Sequence, residues 1–157
     1  MRYWSSPPHP DLSTTQHYLD RIHASFAAKT LFQWGIVRNA EADLIGTCTL
    51  AHLDAQNRRA EVGYILGRPH WGHGYAQEAL QALVAFAFQD LDLLRLEADV
   101  DPRNTASTRS LSRLGFTLEG HLRERWIVGG EISDSVLYGL LRREWSGGAL
   151  PAAPRPT

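Results

Sequence analysis

The chain of 157 residues holds one cysteine, Cys48, and its one methionine is Met1. A lone thiol excludes an internal disulfide and any zinc site built from several cysteines. No run reaches the roughly eighteen apolar residues that a membrane span needs. The opening MRYWSSPPHPD lacks the basic and apolar regions of a secretory signal. An excess of charge is missing too: 16 cationic against 17 acidic side chains give a formal net charge of −1. That balance argues against bulk affinity for nucleic acid or an anionic membrane. Lysine is nearly absent, with Lys29 the sole one among the cations, a bias that codon usage explains as readily as function. No internal repeat is visible. The expectation is one cytoplasmic domain over residues 1–145, with a disordered Gly-, Ala- and Pro-rich tail at 146–157.

What is present reads as alternating element types. Ser13 to Gln16 has capping-box spacing, and apolar residues through Phe26 recur at helical intervals, which predicts a helix over about 13–28. Strands are predicted at Leu31–Arg38, Leu44–Leu53 and Arg59–Leu66, joined by short turns that favour an antiparallel meander. A loop then leads into a helix whose buried face carries Ala76, Ala79, Leu80, Leu83, Val84 and Ala87. Leu94–Val100 alternates as a strand. Asn104 caps a helix that runs to Leu114 and stops at Gly115. Phe116–Trp126 and Glu131–Leu141 flank Gly129-Gly130 as a last hairpin. The fold class is therefore mixed α/β.

The strongest chemical signal is the strand–RPHWGHGYA–helix passage. Gly72 and Gly74 let backbone approach a ligand closely, and the helix start that follows offers unpaired N–H groups and a positive dipole end. That combination suits a pyrophosphate. Neither GxxxxGK[ST] nor GxGxxG is present, so a plain turn stays open as the alternative.

Trp71 to Leu80 (WGHGYAQEAL) resembles the acetyl-CoA-binding motif of the GNAT acetyltransferases, and in particular of the RimJ/RimL type. Glu61-Val62-Gly63-Tyr64, Asp101-Pro102-Arg103-Asn104-Thr105-Ala106-Ser107, Leu114-Gly115-Phe116, Glu119-Gly120 and Leu122-Arg123 follow in matching order. Asp134, Tyr138 and Glu144-Trp145 match the closing strand. The resemblance implies a mostly antiparallel sheet with helices on both faces and one splayed parallel strand pair, Arg59–Leu66 and Leu94–Val100. It implies acetyl-CoA as cosubstrate, with Tyr64, Ile65 and Leu66 along the pantetheine arm. Gly72, His73, Gly74, Tyr75 and Ala76 would lie at the pyrophosphate, and Asn104 and Ser107 near the thioester. Arg68 and His70 stand close enough in sequence to add positive charge, or to be ordinary loop side chains.

The activity so implied is direct transfer of acetyl to a primary amine, of a protein N-terminus or a small molecule, in a ternary complex. Glu61 is the candidate base, or else an ion-pair partner of Arg58 or Arg59. Many members carry a tyrosine acid where this chain has Leu111, so Ser107 is the candidate contact for the leaving thiolate. Some carry a carboxylate where this chain has Trp126. Tyr3, Trp4, Trp34 and Trp126 are candidates to line the acceptor pocket, with core packing the alternative for each. Cys48 reads as a buried strand residue, and no metal is expected. A GNAT-fold protein that binds CoA with weak catalysis is the alternative reading, and a homodimer is possible in this family. Chains of this type ordinarily begin with a strand and a helix ahead of the segment matching Arg2-Tyr3-Trp4, roughly 25 residues at ordinary element lengths. Without that strand, Leu31–Arg38 is expected to be a sheet edge that pairs with another chain or lacks order.

Overall fold

A computed structural model describes residues 8–39 and 42–147. The elements follow the predicted order. Helix α1 spans Leu12–Ala27, and strands β1 (Phe32–Arg38), β2 (Asp43–Asp54) and β3 (Arg59–Leu66) form the meander. Helix α2 (Tyr75–Gln89), strand β4 (Arg95–Val100), helix α3 (Thr105–Arg113) and strands β5 (Thr117–Val128) and β6 (Glu131–Leu141) complete it. The cap of α1 corrects the sequence reading: Asp11, not Ser13, is the N-cap, its Oδ1 accepting from the Thr14 N–H at 2.7 Å. A carboxylate there satisfies an orphan donor and also meets the positive end of the helix dipole. The RPH passage is a short 3-10 turn, Arg68–His70, rather than plain loop. Trp4 and Tyr3 lie outside the described residues, as does most of the proposed tail.

The six strands run in the order β1-β2-β3-β4-β6-β5, all antiparallel except β3 with β4. Alternation splits their side chains between two faces. Ala60, Val62, Leu96, Ala98, Val136 and Leu140 turn to the face that α2 and α3 cover, with Leu80, Val84, Phe88 and Leu111. β1 is the edge strand, paired with β2 along its length, and α1 leans over it. Phe26 meets Phe32 and Trp34 on the helical face, while the Tyr18 hydroxyl donates to Gln33, the next residue in the alternation, at 2.8 Å.

The parallel pair sets up the site. β3 and β4 are in register only at Arg59–Arg95, Ala60–Leu96 and Glu61–Glu97. Beyond Glu61, β3 stays with β2 as far as Leu66, and β4 stays with β6 as far as Val100. The two strands thus part, each following its other neighbour. At the closed end, Arg59 bonds Glu97 at 2.9 Å, and Arg95 bonds both Glu97 and Glu119.

Candidate active site

The splay leaves backbone polar groups of residues 62–66 facing a gap where a strand would otherwise be, and such groups need partners. An extended ligand carrying amides fits that gap as a strand does. At its mouth, Gly72 and Gly74 have φ of +78° and +85°, and a Cβ built on either meets nothing within 4 Å. Both glycines are therefore needed for backbone conformation, and the space beside them is open to a ligand. Gly74 caps α2 without a side-chain bond, so the first N–H groups of Tyr75 and Ala76 point out of the helix start. Trp71 ties this loop back to the end of β3 through its indole N–H and the Leu66 carbonyl, at 2.8 Å. His73 stacks on Tyr75 with ring centroids 5.7 Å apart. In the first turn of α2 the buried Gln77 Oε1 has no hydrogen-bond partner among the described residues. This orphaned acceptor beside the glycine loop fits a site completed by a donor from outside the chain.

On the helical side of the splay, α3 brings up Ser107. Asn104 caps α3, its Oδ1 accepting from the Ser107 N–H at 3.2 Å, so its capping role is explicit in the structure. The Ser107 hydroxyl is not spent on backbone: it accepts from the Tyr64 phenol at 2.9 Å. One turn on, Leu111 is 1 % exposed and belongs to the core.

On the opposite face, Glu61 stands half-buried where the strands part. It is not the partner of either neighbouring arginine: Arg58 pairs with Asp92, and Arg59 with Glu97 and Asp54. Burial pushes the Glu61 carboxyl above the usual carboxylate range. Asp99 and Glu97 on β4 push it the same way, while His52 on β2 and Arg125 on β5 oppose them. Asp99 is a functional candidate that the sequence reading missed. Its side chain is 12 % exposed and lies near Arg125 at 3.9 Å. It accepts from the fully buried Ser135 hydroxyl and from the Trp126 indole N–H at 3.3 Å. Alternation in LRLEADV sets Arg95, Glu97 and Asp99 on one face and Leu96 and Ala98 on the other, and carries no mark of the contacts that single out Asp99.

Trp34 and Trp126, the acceptor-pocket tryptophans among the described residues, do not share a wall. Trp126 stands on the Asp99 face, whereas Trp34 stands on the helical face among Phe26, Phe32 and Phe86. Trp34 therefore takes the packing role, as its cross-strand neighbours on β2 and β3 are Cys48 and Tyr64. Cys48 is buried, and desolvation pushes its thiol up to about 11, which makes it a poor nucleophile.

A parallel pair that splays beside a glycine-capped helix start offers room for an extended ligand that ends in an anion. Comparison with known proteins gives the family. Residues 1–117 match the model of the acetyltransferase (GNAT) domain, and the chain belongs to that family. It is 37% identical over 155 residues to the uncharacterized N-acetyltransferase p20 of Bacillus licheniformis, covering 93% of this chain and 87% of that one. It is 29% identical to the [ribosomal protein uS5]-alanine N-acetyltransferase of Escherichia coli, covering 85% of this chain and 69% of that one. Among solved structures, Mycobacterium smegmatis RimJ in complex with CoA-disulfide superposes with a TM-score of 0.79 at 26% identity, over 84% of this chain and 63% of that one. The chain is an acetyl-CoA-dependent N-acetyltransferase by family, with acetyl-CoA as its cosubstrate. Among the described residues, no helix is long and apolar enough to cross a membrane.

Proposed function

We propose that the chain acetylates a primary amine by direct attack on acetyl-CoA in a ternary complex, with the donor thioester lying in the β3–β4 splay. The observation that carries this is the loss of β3–β4 pairing just beyond Glu61. It places a raised-pKa carboxylate on one face and the Tyr64–Ser107 hydroxyl pair on the other. The backbone of residues 62–66 and the loop Gly72–Ala76 hold the donor. Asn104 orients α3, and Ser107 meets the sulfur.

On the face of Glu61, the amine arrives as an ammonium and has to lose a proton to become a nucleophile. A carboxyl held above its ordinary range is a better base than a solvated one. Asp99, fixed by Ser135 and Trp126, holds negative charge beside it. The acceptor classes that fit a proton-accepting, acidic face are N-terminal serine or alanine amines, polyamines and amino sugars.

Release of free CoA thiol from acetyl-CoA, measured across peptides with serine or alanine N-termini, spermidine and amino sugars, tests this reading. At least one class should turn over, and Glu61→Gln should lower kcat for it by roughly 10²-fold or more. Binding of CoA without thiol release for any amine would favour the weakly catalytic CoA-binding protein instead.

A further inference from the structure

We infer that Tyr64 is the proton source for the departing thiolate, acting through Ser107, an inference that rests on the acyl-transfer reading above. Breaking the thioester C–S bond puts an electron pair on sulfur, and a proton has to reach it. Ser107 is placed to deliver that proton but is a poor origin for it. An aliphatic hydroxyl is a far weaker acid than a thiol, closer to water itself. A thiol titrates near about 8.5 and a phenol near about 10. Transfer from an isolated serine is thus uphill by several powers of ten, whereas transfer that begins at a phenol is nearly matched.

The structure supplies that phenol. The Tyr64 Oη–H donates to Ser107 Oγ at 2.9 Å, which leaves the serine's own O–H free to point elsewhere. Among the described residues, Tyr64 is the one side chain bonded to that hydroxyl. Both groups are half-buried. Tyr64 rises from β3 just past the point where β3–β4 pairing stops, and Ser107 sits in the first turn of α3 under the Asn104 cap. The next turn offers no acid, since Leu111 fills it as core.

The step balances as follows. The acceptor nitrogen bonds the acetyl carbon while the C–S bond breaks, and sulfur takes the electron pair and the Ser107 proton. Ser107 takes the Tyr64 proton. The ammonium gives up two protons by way of Glu61: the first, lost before attack, passes to solvent, and the second is lost as the amide forms. Water carries one proton from Glu61 back to Tyr64, so that an amide and a free thiol are the products. The Tyr64 phenol touches none of the reacting atoms in this scheme and acts through Ser107, so Tyr64 is a positioning residue with a proton to give.

The test is steady-state kinetics of Tyr64→Phe, Ser107→Ala and the double variant, with CoA affinity by calorimetry and Tm recorded for each. Each single change should lower kcat by about 10²-fold while KM for acetyl-CoA and Kd for CoA stay within about threefold. The double variant should be no slower than Ser107→Ala within about threefold, because both residues serve one relay. A Tyr64→Phe kcat within about twofold of the parent overturns the inference. So does a loss confined to KM or Kd, or single losses that multiply in the double variant. A parent chain that binds CoA and acetylates no amine overturns the acyl-transfer reading itself. An active parent with an indifferent Tyr64→Phe overturns the relay alone.

Discussion

Glu61 links stability and pH in opposite senses to activity. Its carboxyl titrates above the ordinary range in the folded chain, chiefly through burial, so between the ordinary and the raised value the folded state binds more protons than the unfolded one. Stability from this group is therefore present at low pH and lost as pH rises through the raised value, while a base has to be ionised to work. Glu61→Gln should raise Tm at pH 8 relative to the parent and narrow that gap towards pH 4, at the cost of turnover. Asp99→Asn removes a like charge facing Glu61 and leaves Glu97, His52 and Arg125 in place. The acid limb of the kcat/KM profile should then shift to lower pH, with Tm as the control for the lost Ser135 and Trp126 bonds. Glu61 was legible in the sequence only as a carboxylate on a strand before a glycine loop. Its freedom from Arg58 and Arg59 was not, because Asp92, Asp54 and Glu97 reach those arginines from elsewhere in the chain. Asp99 escaped because its meaning lies in Ser135 and Trp126, 36 and 27 residues away. No local pattern records such a contact.

At the scale of elements, the glycine loop and the last hairpin make a matched pair. Gly74 and Gly129 both have positive φ, +85° and +59°, and a Cβ on either meets nothing within 4 Å. Alanine at each should cost roughly 1–2 kcal/mol of stability through backbone strain alone. Only Gly74→Ala should also weaken CoA binding, by about tenfold or more in a calorimetric titration, since its methyl enters the space beside the helix start. Equal CoA affinity in both variants would remove that loop from the binding site. Helices and strands were legible because period and punctuation agreed: β3 falls on the predicted Arg59–Leu66, and α3 lies between the Asn104 cap and Gly115. The start of α1 was displaced because Ser13-Thr14-Thr15-Gln16 imitates a capping box, while Asp11, two residues earlier, supplies the stronger cap. Whether Trp34 lines a pocket with Trp126 or packs in the core was left open by the sequence for a reason of scale. Strand alternation assigns a residue to a face only once register across several strands is fixed.

The whole molecule responds to its donor as a folding partner. A donor that binds the folded chain and not the unfolded one should add about 2.7 kcal/mol at 100 times Kd. For a chain of this size that is roughly 5–10 °C in Tm by thermal scanning. A shift absent at millimolar acetyl-CoA would count against the splay as its site. The splay also has a consequence for the time the backbone spends open. Alternate amides between Val62 and Leu66 face the gap, not β2, and without a ligand they should exchange their hydrogens with solvent at the pace of a sheet edge, though they sit mid-sheet. Filling the gap should slow those amides by orders of magnitude and leave their β2-facing neighbours unchanged. Deuterium uptake along β3 would then read, residue by residue, how far into the sheet the donor reaches.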